Sequence, residues 1–466
     1  MSIAGPSSVV TGAAADIGEQ GGTVVDVAIV AALTAMCTEP GVCGPGGGGF
    51  LTIDLPGHDP VVIDGYMAFP GKGFDGDAFI TEVEMPYGGG VRTLVGAGSV
   101  AVPGVFAALG AASQMYGLAP WSELMEGVAV VVEDGFPLSA PCHIYLNDGA
   151  ASIYAADPVA REALLDGDGP KPLGSRVVFP GLADSLRHLG REGPGDFYEG
   201  DLARAIVSDL ESRGGQLTLE DLATYEAVVR RPVESTLGGW RFDLNPAPAV
   251  GGITVAHVLE LLSQGDPDDA LDIARALVSA FQARHSFSLR SPSTISVAAA
   301  DEEGGVASAS FSAGYGSGVI PGGTGMLMNN ALGELELSDG SGRPGRRMVS
   351  NMAPTVARSG PDAVAVGSPG ADRITTAVAT TLARLAAGDG LREAIDHPRA
   401  HPELGEWGVR LAIEPGLDLE DAPHPLRPFD TPHMYFGGVN GAGLMDGKLV
   451  AHADGRRTGS VAFTTP

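Results

Sequence analysis

A layered α+β fold, with helices flanking two layers of mostly antiparallel strands, is what this sequence of 466 residues predicts. Three observations carry the prediction. Glycine (69) and proline (34) make up roughly a fifth of the chain, against ~12% in average usage. Yet 44% of the residues are hydrophobic and only 18% charged, which gives a core rather than disorder. The excess therefore reads as turns and close backbone approaches. The first half alternates helical patterns with short strands, and after about Pro292 the texture changes to successive alternating strands.

Val24–Met36 reads as a helix apolar nearly all round, so it should be buried; it carries Asp26 and is too short to span a bilayer. It runs into the Gly-rich turn GPGGGGF (Gly44–Phe50) and an alternating strand, Phe50, Thr52 and Asp54 against Leu51, Ile53 and Leu55. Val61–Asp64 reads as the hairpin partner of that strand. Pro120 opens a helix through Val132 that Gly135 ends. Asp201 reads as the N-cap of a helix with Leu202, Ile206 and Leu210 on one face. Thr218 with Asp221 is a capping-box variant for a short helix to Tyr225. A turn at Gly251-Gly252 precedes a helix over Ile253–Leu262. STISVAAAD, ASASFSAGYG and AVAVGSPG read as strands, and Arg373–Ala387 as a helix. No Pro/Ser-rich linker separates independent domains.

Lys+Arg total 28 and Asp+Glu 57, a formal net charge of -29. Phosphate binding needs a positive field, so nucleic acid and anionic membrane surfaces are excluded as general partners. Cys37, Cys43 and Cys142 show no zinc spacing and read as buried reduced thiols. The first residues show neither a basic region nor an apolar one of the secretory kind. The expectation is a soluble, cytoplasmic chain.

Common catalytic layouts are missing. No G-x-S-x-G elbow occurs. GPGGGGF has neither the Lys-Ser/Thr of a phosphate loop nor dinucleotide spacing, so it reads as a tight turn against another backbone. His397 and His401 have ligand spacing beside Asp396 and Glu403, but Pro398 and Pro402 break the helix such a metal site needs. They read as surface or capping histidines.

The segment from Ser291 to Glu334, with GSPGADR at Gly367–Arg373, carries the chemistry. Together with VVDVAIVAALTAMCTEPGVCGPGGGGFLTI, VIDGYMAFPG, FYEGDLARAIVSDLESRGGQLTLEDLATYEA, NPAPAVGGI, MAPTV and ADGRRTGSVA, it makes the chain resemble the γ-glutamyltransferases (γ-glutamyl transpeptidases) almost end to end. These belong to the N-terminal-nucleophile hydrolases. The resemblance implies a four-layer αββα sandwich, two mainly antiparallel sheets flanked by helices. It implies a precursor that cuts itself before a threonine, which then becomes the nucleophile.

Alignment of SPSTISVAAAD with the family's Thr-Thr-His segment puts Thr294 at the first Thr, Ile295 at the second, Ser296 at the His and Asp301 at the strand-end Asp. The cut would fall between Ser293 and Thr294, giving a large-subunit region 1–293 and a small-subunit region 294–466 in one intertwined fold. A threonine hydroxyl needs an adjacent base. Freed as an N-terminus, Thr294 brings its own α-amine, whose reference pKa of ~8 lets it accept the proton. The resemblance assigns the oxyanion donors to Gly370 and Ala371. It assigns a second hydroxyl to Ser312, with Ser310 the alternative register.

The departures fall on the acyl-donor pocket. Tyr66, in Tyr66-Met67-Ala68-Phe69-Pro70, stands where the family has the arginine that holds the γ-glutamyl α-carboxylate, and a tyrosine offers no guanidinium fork. The family's Asn after the second Thr falls in a gap at Gly314. Its amine-reading Asn-Asn-Gln/Glu-x-x-Asp reads Asn329-Asn330-Ala331-Leu332-Gly333-Glu334, so Glu334 keeps a carboxylate and Ala331 loses a polar group. Ser-Ser-Met reads Ser350-Asn351-Met352. Arg346 or Arg347 either approaches an anionic substrate from another side or is a surface or structural arginine.

The stretch from Glu334 to Ser350 is short for a lid, which favours larger donors and water entry, hence hydrolysis. The expected function is self-cleavage before Thr294 and transfer or hydrolysis of a γ-glutamyl or related acyl group from a small amide such as glutathione, to water or an amine. An acylase for a non-glutamyl donor and a processing-deficient scaffold are the alternatives. No cofactor or metal is implied, and the only protein partner implied is the chain's own second fragment.

Overall fold

The computed structural model describes residues 1–85, 91–284, 294–334, 342–405 and 407–464. Thirteen strands build two sheets. They are β1 (Ser2–Gly5), β2 (Gly48–Asp54), β3 (Val61–Gly65), β4 (Val228–Arg230), β5 (Val233–Leu237), β6 (Trp240–Leu244), β7 (Ile295–Ala300), β8 (Val306–Ser312), β9 (Thr355–Ser359), β10 (Asp362–Gly367), β11 (Asn440–Met445), β12 (Lys448–Ala453) and β13 (Ser460–Phe463). The first sheet runs β4-β3-β2-β8-β7-β1-β13 and the second β5-β6-β9-β10-β11-β12, every pair antiparallel.

Helices α1 (Ser8–Glu19), α2 (Val24–Thr38), α3 (Val105–Tyr116) and α4 (Trp121–Glu133) form one outer layer, with α1, α2 and α3 lying directly on the first sheet. Helices α5 (Gly251–Leu262) and α7 (Arg373–Ala387) cover the second, with α6 (Ala270–Ala283) packed on both. The sheets face each other through β7, β8 and β1 against β10 and β11. This is the four-layer αββα arrangement.

The sequence explains why. All fifteen residues of α2 are buried, as its unbroken apolar character requires. Its one charge, Asp26, closes a capping box with Thr23 and accepts the N–H groups of Leu118 and Ala119 at 2.8 and 3.1 Å. In β7 the two-residue period sends Ile295, Val297 and Ala299 into the helix-side core. Ser296, Ala298 and Ala300 then face the other sheet, where Ala298 and Ala300 meet Val356, Ala363, Ala365 and Ala442. In β8 Ala307, Ala309 and Phe311 take the helix side and Ser308 and Ser310 the inter-sheet side. Small side chains let the sheets approach, and Ser308 Oγ donates across the gap to Val366 O at 2.8 Å.

β2 is buried on both faces, because helices cover one and the second sheet the other. Several expectations need correction. Gly200 is the N-cap where Asp201 was expected, since Asp201 already has helical geometry and its N–H is taken by Asp196 at 3.1 Å. Gly251 and Gly252 form the first turn of α5 rather than a preceding turn. His401 is buried on a strand (Ala400–Gly405), bonded to Thr376 Oγ1 at 2.9 Å, so it is no surface histidine. Among the described residues no group of metal-binding side chains gathers, and no helix is long and apolar enough to cross a membrane.

Candidate active site

Thr294 immediately precedes β7, in the middle of the first sheet, and is buried. Its Oγ has no hydrogen-bond partner among the described residues. A buried hydroxyl left unpaired costs about 1–3 kcal/mol, and such exceptions gather where a group is kept for chemistry. Ser293, on the other side of the expected cut, lies outside the described residues.

The two-residue period places Thr294 on the same face as Ser296, towards the second sheet. Ser296 O accepts from Asn440 Nδ2 at 2.8 Å, which fixes the strand directly after the threonine. Ser310 sits opposite Ser296 in register, and its Oγ is also unpartnered among the described residues. Ser312 Oγ accepts from Gly314 N at 3.0 Å at the far end of β8. Gly367 closes this polar gap: a Cβ there would stand 3.1 Å from both Ser296 Cβ and Ser308 Oγ. GPGGGGF does pack against backbone, since a Cβ on Gly47 would lie 2.2 Å from Ser312 O.

Gly370 and Ala371 form the turn between β10 and α7. Both are buried, and neither N–H has a hydrogen-bond partner among the described residues. Ala371 holds φ at +60°, a conformation non-glycine residues seldom adopt. Two unclaimed N–H groups in a strained turn are what an oxyanion hole needs. Pro369, next to them, shares with Thr294 a small cavity of about 30 Å³, also lined by Glu39, Ser296, Asn440 and Arg457.

The residues assigned to substrate are brought together. Tyr66 is buried, stacks on Phe50 at 5.4 Å and shares a side-chain hydrogen bond with Ser350. Burial first, and then the Glu334 charge, push its hydroxyl well above the usual tyrosine range. It is therefore a neutral hydrogen-bonding group. Glu334 is buried beside Gly314, where a Cβ would lie 3.1 Å from Glu334 Oε1. Asn351 follows Ser350 and accepts a hydrogen bond from Arg284 Nη2.

Other residues of the family pattern are committed elsewhere. Asn329 Nδ2 donates to Gly46 O (2.7 Å) and Ala101 O (2.9 Å), and Asn330 holds Tyr315 N and Thr93 Oγ1. Arg347 pairs with Asp64 at 3.5 Å and lies 4.1 Å over the Tyr225 ring, so it is structural, and Arg346 is exposed.

Sequence reasoning missed three groups. Arg284 follows a helical pattern and stands three residues after buried Phe281, the spacing that puts it on the core side. Asp372, after the Gly370–Ala371 turn, is half-buried; although removal from water opposes its charge, Arg373, His401 and Arg284 outweigh that and hold its carboxyl below the usual range. Glu39 accepts from Ser139 Oγ (2.6 Å) and Cys142 Sγ (3.1 Å). Burial pushes its carboxyl up.

That shift has a sign. A carboxyl raised in the folded chain supports folding fully below the ordinary value of ~4.3, and that support drains away as pH rises through the raised value. Glu39→Gln keeps an acceptor for Ser139 and Cys142 without the charge. The variant should melt higher than the native chain at pH 8, with the gap closing towards pH 4. Circular-dichroism melts across that range check it; a gap independent of pH would mean that the charge is not the cause.

A family model described as Gamma-glutamyltranspeptidase matches residues 11–288 and 280–464. An acylase ACY 1 proenzyme from a Pseudomonas species is 28% identical, the match covering 94% of this chain and 89% of that protein. A glutathione hydrolase proenzyme from Escherichia coli is 24% identical over 86% of this chain and 80% of that protein. In fold, the chain is similar to the crystal structure of a cephalosporin acylase from Bacillus halodurans, with a TM-score of 0.81, 20% identity, and 99% and 95% of the two chains covered.

Proposed function

This chain belongs to the gamma-glutamyltranspeptidase family of enzymes, and on that premise we propose a self-cleaving amide hydrolase or acyltransferase whose nucleophile is Thr294. The observation that carries the reading is the buried Thr294 Oγ, unpartnered among the described residues, at the head of a central strand and sharing a cavity with Pro369 of the oxyanion turn.

In the precursor, Thr294 Oγ attacks the carbonyl carbon of Ser293, and the peptide becomes an ester. Water splits the ester, leaving a carboxylate on Ser293 and a free amine on Thr294. In the two-piece enzyme, 1–293 with 294–466, that amine takes the Oγ proton as Oγ attacks a substrate amide. The developing oxyanion receives the Gly370 and Ala371 N–H groups. The amine half leaves with a proton, and water or another amine takes the acyl group from Thr294. The donor on this reading is a γ-glutamyl or related acyl amide. Tyr66, in the place of an arginine, favours a second reading, an acylase for a non-glutamyl donor.

The test is the intact mass of the purified protein. Two pieces, the smaller beginning at Thr294, are expected. A single chain after prolonged incubation would overturn the catalytic reading and leave a binding or scaffold protein.

A further inference from the structure

The acyl-donor pocket lacks the arginine at position 66, yet it does not lack a cation. Arg284 follows the last turn of α6, with its N–H on Ala280 O at 3.1 Å. Its guanidinium lies 5.6 Å from the centre of the Phe281 ring and donates Nη2 to Asn351 Oδ1. The Nε and Nη1 atoms are buried and have no hydrogen-bond partner among the described residues. Asp372 is near enough for its charge to be felt. It forms no ion pair with Arg284 among the described residues, and is held by Arg373 at 2.5 Å and His401 at 3.7 Å.

Among the described residues this guanidinium uses one of its five donors, and a buried cation so sparsely paired is expensive to keep. Nη1 and the second hydrogen of Nη2 offer the planar two-point donor that a carboxylate fits. The position is also informative. Asn351 adjoins Ser350, which meets Tyr66, and Asp372 adjoins the Gly370–Ala371 turn. Arg284 thus bonds to the residue after Ser350 and feels the charge of the residue after the Gly370–Ala371 turn.

We propose that Arg284 determines specificity by binding a carboxylate carried on the acyl half of the substrate, the acyl group of a dicarboxylic acid. This rests on Thr294 being the nucleophile. A glutaryl and a γ-glutamyl group both supply the carboxylate, and the second adds an ammonium that Glu334 could meet.

The experiment compares glutaryl, γ-glutamyl and pentanoyl 4-nitroanilides, the last matching glutaryl without its carboxylate. Glutarate and pentanoate serve as inhibitors. The native enzyme should prefer a carboxylate-bearing donor and be inhibited more strongly by glutarate. Arg284→Met should cut the glutaryl-to-pentanoyl ratio of kcat/KM by about 10- to 100-fold, carried mainly by KM. Arg284→Lys should restore part of it. Faster release from γ-glutamyl than from glutaryl assigns the ammonium-bearing donor, and the reverse the simple diacid.

An Arg284→Met ratio equal to the native one overturns the proposal. So does a native enzyme that prefers pentanoyl or is inhibited equally by the two acids, which needs no variant to fold, and then the amide-hydrolase reading stands. A native chain that never cuts itself, or that cuts itself and releases none of the anilides, overturns that reading and this assignment with it.

Discussion

Replacing Thr294 by alanine leaves one uncut chain of 466 residues and lowers amide turnover by at least about 10⁴-fold. One hydroxyl does both jobs on this mechanism, so both losses come together. The variant lacks the atom that attacks the Ser293 carbonyl, and without that cut there is no α-amine to act as base. Removing a methyl as well as a hydroxyl from a buried position costs little folding energy beside that. Thr294→Ser, which keeps the hydroxyl, should be cut more slowly and regain part of the activity. Intact mass and release of 4-nitroaniline read the two effects separately. Persistent cutting in the alanine variant would move the nucleophile to another hydroxyl of the inter-sheet face, with Ser310 the first candidate because its Oγ is also unpartnered among the described residues.

Arg399→Met should destabilise the fold by about 3–5 kcal/mol, the usual effect of stripping one partner from a buried ion pair. Arg399 is fully buried. It pairs with Asp454 at 2.7 Å and donates to the carbonyls of Phe436 (3.0 Å) and Ile395 (2.8 Å). Arg456 pairs with the same aspartate at 3.1 Å and with Glu414 at 2.6 Å. Methionine fills much of the volume and supplies no donor, so two carbonyls and part of a carboxylate lose their partners. Burial works against the Asp454 charge, but the two arginines outweigh it and hold the carboxyl below its usual range. The support this gives is present above the ordinary value of ~3.9 and fades as pH falls through the depressed one. The penalty should therefore shrink in acid. Urea unfolding followed by tryptophan fluorescence, at pH 7 and at about pH 2.5, below the ordinary carboxyl value, measures both. Asp454 also lines the cavity beside Thr294, so the variant should be cut more slowly; normal cutting would show that the wall does not depend on this pair.

Much of the fold was legible because local chemistry and tertiary structure ask for the same residues. Arg373–Ala387 is a helix with the bounds its pattern predicts, and Asp26, an odd charge in an apolar run, is explained by a cap. The strand after Thr294 was equally clear, since small and branched residues alternate and end at a turn. What the pattern could not reveal is which strands meet. That β7 lies between β8 and β1 is a long-range fact without a local signal. Nor does β2 look different from a half-wet strand, because Thr52 is bonded across the sheets to Pro354 O at 2.8 Å rather than to water. In the site, Thr294, Gly370 and Ala371 stood out by resemblance. Arg284 did not, because an arginine after a helix usually faces solvent, and only the fold sets its guanidinium beside Asn351.

The placement of β1 has a consequence for how the protein ages. This strand, from the beginning of the chain, is held between β7 and β13, both from the region after Thr294, and the Met1 amine reaches Thr464 Oγ1 at 2.8 Å. Before a cut at Thr294, refolding is a one-molecule event and does not depend on concentration. Afterwards neither piece owns a whole first sheet, and regaining it becomes a meeting of two molecules that dilution slows. Cleavage would thus turn a reversible fold into a kinetically guarded one, whose lifetime is set by the barrier to its first unfolding.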